Sequence, residues 1–201
     1  VAYEVLRQGI DDTRYYSNPW VSLDLLKQRV ELAFQRHLDD DKYESALGMA
    51  ETFYPLFTKA MTGTLRAKTH RAWAESLLRE AGNVSSQEKE ELIEEARKQF
   101  LQAGVLYRRL IEPHETSKNY TDLIWDSATC FFNGHDFEDA VEMYNLYLRE
   151  EARRRHSTAL LRLGECYLTL GDQDKAIQAL CDCIDFYPRD VATFKARLLA
   201  S

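Results

Sequence analysis

Leu160-Leu161-Arg162-Leu163-Gly164-Glu165-Cys166-Tyr167, then Ala176-Ile177-Gln178-Ala179-Leu180 and Pro188, decide the fold of this chain. A first helix needs a small residue where a second one crosses it closely, and Gly164 fills that place. The second helix supplies the reciprocal small residue, Ala176. Leu163, Tyr167 and Leu180 fill the space around the crossing. Gly171-Asp172 makes the turn between the two helices, since glycine tolerates a positive φ. Asp172 or Asp174 serves as N-cap of the second helix. Pro188 cannot continue that helix and helps to end it.

The same unit recurs upstream in weaker form. Asp136-Phe137-Glu138-Asp139-Ala140 parallels Asp172-Gln173-Asp174-Lys175-Ala176, with the two alanines 36 residues apart. This register puts Ile124, Ser127, Ala128 and Phe131 in the places of Leu160, Leu163, Gly164 and Tyr167, and Tyr144 in that of Leu180. An earlier echo runs from Asp41 through Ala46 and Ala50 to Phe53, and a fourth is Ala96 with Phe100. The key alanines 46, 96, 140 and 176 are separated by 50, 44 and 36 residues. Only the last gap is close to regular, so the middle units carry longer helices or loops.

These motifs resemble the tetratricopeptide repeat, a 34-residue helix–turn–helix with the pattern W-x2-L-G-x2-Y…A-x3-F…P. Leucine here stands for its Trp and its Phe. The match is specific over 157–190, good over 117–152 and degenerate over 21–116, where it rests on the alanines and on helical periodicity. The resemblance implies an all-α, right-handed helical-repeat solenoid with a concave face that binds peptides or proteins. Periodicity and breakers predict about nine antiparallel helices.

Residues 1–20 read as an irregular segment ending at Asn18-Pro19. Residues 21–201 read as one helical-repeat domain without an internal linker. Its units fall at about 21–60, 64–112, 117–152 and 157–190, and 190–201 is a partial or capping helix. A helix is predicted from Lys42 to Ala60 with Pro55 inside it, a turn at Gly63, and a third helix from Thr64 to Ala81. The chain starts at Val1 and stops within a further unit, which suggests one segment of a longer repeat protein.

Composition narrows the function. No apolar run approaches the ~20 residues that cross a bilayer, so no membrane insertion is expected. The net charge of −7 argues against nucleic acid as a partner. Asp39-Asp40-Asp41 reads as a helix-end turn and N-cap. Arg153-Arg154-Arg155-His156 reads as a solvated junction that favours the dipole of the preceding helix; the alternative is a site for a partner's acidic or phosphate group. The chain is expected to be soluble, cytoplasmic or bacterial periplasmic.

No constellation of nucleophile, base and metal is present, so no enzyme activity, cofactor or metal site is expected. Cys181-Asp182-Cys183 lies on a helix, where residues two apart point to different sides. Cys183 falls at a small core position. The five histidines are scattered, with no i, i+4 pair.

In the family the groove is lined by the outward face of each first helix. That geometry selects Asp122, Trp125, Thr129, Phe132 and Asn133 in one unit, and Thr158, Leu161, Glu165, Leu168 and Thr169 in the next. The Lys, Arg and Asn set with which part of the family grips C-terminal carboxylates is not matched. Trp125, Phe132, Leu161 and Leu168 would offer apolar pockets, and Asp122 and Glu165 would favour Arg or Lys on a ligand. The competing reading covers Trp125 and Phe132 with a neighbouring helix or with the N-terminal segment. Trp73 poses the same choice one unit earlier.

The leading function is a non-enzymatic protein–protein interaction scaffold with a protein or peptide partner. The alternatives are a self-assembly module forming a homo-oligomer, and a regulatory or accessory domain of an enzyme.

Overall fold

The computed structural model describes residue 16 and residues 20–115 and 117–200. The irregular segment expected at 1–20 thus lies almost wholly outside the described residues. Among the described residues the chain is all-α, with nine α-helices, one 3-10 turn and no strand. In chain order they are α1 (Leu23–Asp39), α2 (Tyr43–Glu51), α3 (Lys59–Ala81), α4 (Ser86–Ile111), α5 (Tyr120–Asn133), α6 (Phe137–Glu150), α7 (His156–Leu170), α8 (Gln173–Phe186) and α9 (Val191–Ala200). They gather into two compact units, Val1–Leu106 and Tyr107–Ser201, and the division falls inside α4.

In the second unit each helix packs on the next, from α5 through α9, and α9 also packs on α7. The α7–α8 crossing is as tight as its sequence predicts. A Cβ added to Gly164 would stand 2.6 Å from Leu180 Cγ and Cδ2, closer than carbon atoms pack. Ala176 and Leu180 are fully buried opposite it. Ile124, Ser127, Ala128 and Phe131 are buried in the same way at the α5–α6 crossing.

The turns repeat as strictly as the crossings. His135 and Gly171 adopt left-handed φ values of 63° and 80°. The next residue closes a wide turn: Asp136 N donates to Phe131 O at 3.0 Å and Asp172 N to Tyr167 O at 2.9 Å. Both aspartates then cap the following helix, accepting from Asp139 N and Lys175 N.

The first unit contains one copy of that turn. Asp41 is left-handed at φ 57°, and Lys42 N donates to His37 O at 2.8 Å. Ala46 stands four residues after Lys42, as Ala140 and Ala176 stand four after their aspartates, and all three are fully buried. The cap differs. Lys42 holds the N-cap position and its side chain makes no cap bond. The acidic run is therefore a helix-end turn but not the expected N-cap, because the Asp41 carboxylate accepts the Tyr43 hydroxyl at 2.6 Å instead.

Beyond Ala50 the expected helix gives way. α2 ends at Glu51 rather than Ala60, and the Tyr54–Pro55 peptide is cis. Proline lacks an N–H and drives the preceding residue out of the helical region. Phe53, Leu56 and Phe57 turn inward instead and pack against Leu26, Val30 and Phe34 of α1. Thr58 then caps α3 by accepting from Met61 N. Gly63 consequently lies inside α3, not at a turn. α3 and α4 are joined by a polar strip in which Gln99 bonds His70 at 2.7 Å and Glu95 at 2.8 Å. Ala96 is fully buried in α4, yet it lies ten residues past the helix start and not in the turn frame of the other three alanines.

Candidate functional site

The residues picked from the repeat register lie on α5 and α7, the first helices of the two clear units. Around Asp122 the 151–156 connection folds back onto α5. Arg154 Nη2 donates to Asp122 Oδ1 at 2.7 Å, and Arg155 Nη1 reaches the same oxygen at 3.5 Å. The Arg155 guanidinium lies 5.0 Å from the centre of the Trp125 ring, in cation–π range. On its other sides Trp125 meets Tyr144 at 5.7 Å and Tyr147 at 5.0 Å. Tyr147 donates its hydroxyl to Arg154 O at 2.7 Å, which anchors the connection. Glu151 accepts from Thr121 Oγ1 at 3.0 Å. Burial pushes the Glu151 carboxyl up, but the Thr121 hydroxyl, backbone N–H groups and Arg154 outweigh it and hold the carboxyl below its ordinary range.

A second cluster sits two turns along. The Arg162 guanidinium covers the Phe132 ring at 4.4 Å and donates to Glu165 Oε2 at 2.8 Å. Lys195 of α9 pairs with the other Glu165 oxygen. Phe132 also meets Phe137 edge to face. Thr169 donates its hydroxyl back to Glu165 O.

Asp122, Trp125, Thr129, Phe132, Asn133, Thr158 and Glu165 are all partly exposed, and Leu168 and Thr169 are exposed. Leu161 differs. It is 6% exposed and packs with Leu180, Cys183, Ala192 and Ala196, because α9 lies over that turn of α7. It is a core residue and offers no pocket. The carboxylates differ too: Asp122 and Glu165 are each already held by two cations of the chain. The arginine run is an exposed junction, as expected, and two of its members, Arg154 and Arg155, also clasp Asp122 of α5. Trp73 stacks on buried Tyr43 at 5.9 Å and is itself partly exposed.

Sequence reasoning passed over Arg162 and Lys195. Lys195 stands 34 residues after Leu161, so the repeat length would have placed it on this face. The cysteines lie apart from the face: Cys130, Cys166 and Cys183 are buried. Burial pushes the Cys166 thiol up to about 12, so it stays protonated and unreactive at neutral pH. No helix among the described residues is long and apolar enough to cross a membrane.

Residues 158–190 match the tetratricopeptide repeat family model. No curated protein matches the chain. Among the solved structures similar to this chain are two of known description. One is YrrB, described as a TPR protein with an unusual peptide-binding site, at 16% identity over 82% of this chain and 88% of that one, TM-score 0.38. The other is PilF of Pseudomonas aeruginosa, at 13% identity over 88% of this chain and 98% of that one, TM-score 0.36. The family match spans the Gly164 crossing, the Gly171 turn and the Asp172 cap, so residues 158–190 are similar to a tetratricopeptide repeat at each feature that makes the unit.

Proposed function

We propose that the protein is a non-enzymatic scaffold that binds a segment of another protein along the face formed by α5, α7 and α9. The observation that carries this reading is a contrast in exposure within single helices. On α5 the crossing stripe of Ile124, Ser127, Ala128 and Phe131 is buried, while Asp122, Trp125, Thr129, Phe132 and Asn133 keep access to solvent. On α7 the same contrast separates Leu163 and Gly164 from Thr158, Glu165, Leu168 and Thr169. Packing accounts for the first set and not for the second. Tryptophan and phenylalanine partly exposed in a polar rim suit an interface anchor. The paired charges fix side-chain positions, which reduces the ordering cost when a ligand docks.

Peptides selected from a displayed random library against the whole chain test this. Phe132→Ala with Leu168→Ser should lose most of that binding while the melting curve stays cooperative. Retention of the selected peptides by the double variant would remove the face.

One observation favours self-assembly as a second reading. On α9, Phe194 and Leu198 are 71% and 75% exposed, and they lie four apart on one side of the helix. A second copy stacked there would cover them. Light scattering over a range of concentrations separates the two, since a monomer throughout leaves the scaffold reading alone.

A further inference from the structure

The charges on this face are layered, and the layering has a sign. Glu165 is 14% exposed, whereas its partners Arg162 and Lys195 are 36% and 54% exposed. Glu151 is 19% exposed beneath Arg154 at 47%. Asp122 is matched by two arginines that approach from the 151–156 connection. Glu165 and Glu151 are thus the inner members of their pairs and the cations the outer ones, whereas Asp122, at 41%, stands level with Arg155 at 41% and close to Arg154 at 47%. Around Glu165 and Glu151 a ligand laid along α5 and α7 meets guanidinium and ammonium groups first, although the chain as a whole carries a net charge of −7.

The arginines also retain capacity. Arg155 and Arg162 each bond their carboxylate through Nη1. A guanidinium has five N–H donors in a planar fork, so one such bond leaves it able to take a second carboxylate in bidentate fashion. Each guanidinium lies over an aromatic ring, Arg155 at 5.0 Å from the centre of Trp125 and Arg162 at 4.4 Å from that of Phe132. A cation held over a ring face keeps its place while its remaining donors can still meet a ligand. The two rings are seven residues apart on α5, about 10 Å along the axis. An extended chain covers that distance in about three residues.

We propose that the segment bound on this face is acidic, with Asp or Glu side chains about three residues apart that pair with Arg155 and with the Arg162–Lys195 cluster, and with apolar residues between them. This rests on the scaffold reading above. It reverses the ligand charge that Asp122 and Glu165 suggest when taken alone, because those carboxylates are occupied from within. Glu165 acts as a positioning residue that holds Arg162 and Lys195 outward, and Asp122 fixes the place of Arg154 and Arg155 beside it.

The test uses three labelled dodecapeptides with the same spaced Phe and Leu residues, the remaining positions being all Glu, all Ser or all Lys. Each is titrated against the whole chain by fluorescence anisotropy at low and high salt. The Glu peptide should bind most tightly and the Lys peptide least, with the difference shrinking as salt rises. Arg155→Gln with Lys195→Gln should weaken the Glu peptide by roughly three- to tenfold, the scale of two exposed ion pairs, and leave the Ser peptide unchanged. Equal or tighter binding of the Lys peptide, still lost on Phe132→Ala with Leu168→Ser, overturns the acidic preference and leaves the binding face intact. Binding of none of the three, or binding indifferent to both double variants, overturns the face itself.

Discussion

The two halves of this chain solve the same packing problem with different regularity. In residues 107–201 the four helices of the two repeats are nearly equal in length, 14, 14, 15 and 14 residues, and within each repeat the crossing has a small residue and the turn has a left-handed residue followed by an aspartate cap. In residues 1–106 the helices that begin there run to 17, 9, 23 and 26 residues. The turn at Asp41 keeps the backbone of the later turns, but a cap is missing and Pro55 stops the second helix. Phe53, Leu56 and Phe57 supply by side-chain burial what the shortened α2 does not. A repeat therefore survives in its turn geometry after its helix lengths have drifted, because the turn depends on few residues and the helix on many.

The largest expected effect is at the tight crossing. Gly164→Leu should lower stability by about 3 kcal/mol in urea melts, since the new side chain meets Leu180 and overpacks a close contact. A loss well under that would mean the α7–α8 crossing is looser than the regular half requires. Gly171→Ala should cost about 1 kcal/mol, because an L-residue is disfavoured at φ 80°. In the irregular half the sign reverses. Gly48 lies exposed in α2 with open space at its Cβ position, so Gly48→Ala should raise stability by about 0.5–1 kcal/mol. A loss there would show that α2 is held in place by something other than its own helix.

The smallest effect concerns the caps. The Lys175 side chain, then its backbone N–H, hold the Asp172 carboxyl below its ordinary value of 3.8. A depressed carboxylate stabilises the fold above its unfolded value, and that contribution fades as pH falls through the folded one. The melting difference between the parent chain and Asp172→Asn should thus be present at neutral pH and close as pH falls below 3.8. Lys42, at the matching place, makes no side-chain cap bond.

Much of this was readable before any coordinates. The alanines at 140 and 176 and the glycine at 164 mark crossings because small residues have few other uses inside a helix. Ala46 was legible for the same reason. Ala96 was misleading: it is buried, but long helices bury many alanines, and burial alone does not mark a turn. Pro55 stops the helix that periodicity alone extends to Ala60, and Thr58 is the cap signal that starts α3 ahead of Gly63. The face on α5 and α7 followed from the register, whereas its charge did not. Arg154 and Arg155 lie more than thirty residues from Asp122, and Lys195 thirty from Glu165, so pairing came from the fold and not from neighbourhood in sequence. Leu161 was misplaced because α9 covers it, a contact that a periodic pattern on α7 does not contain.

The scaffold proposal puts the partner on the open stripe along the first helices of residues 107–201. Two-dimensional NMR of the nitrogen-labelled chain, titrated with the acidic dodecapeptide, tests it residue by residue. The account predicts shifts at the Trp125 indole N–H and at Thr129, Phe132, Thr169 and Lys195, with α6 and α8 quiet. Shifts concentrated on α6 and α8, with Trp125 and Lys195 unmoved, would contradict it.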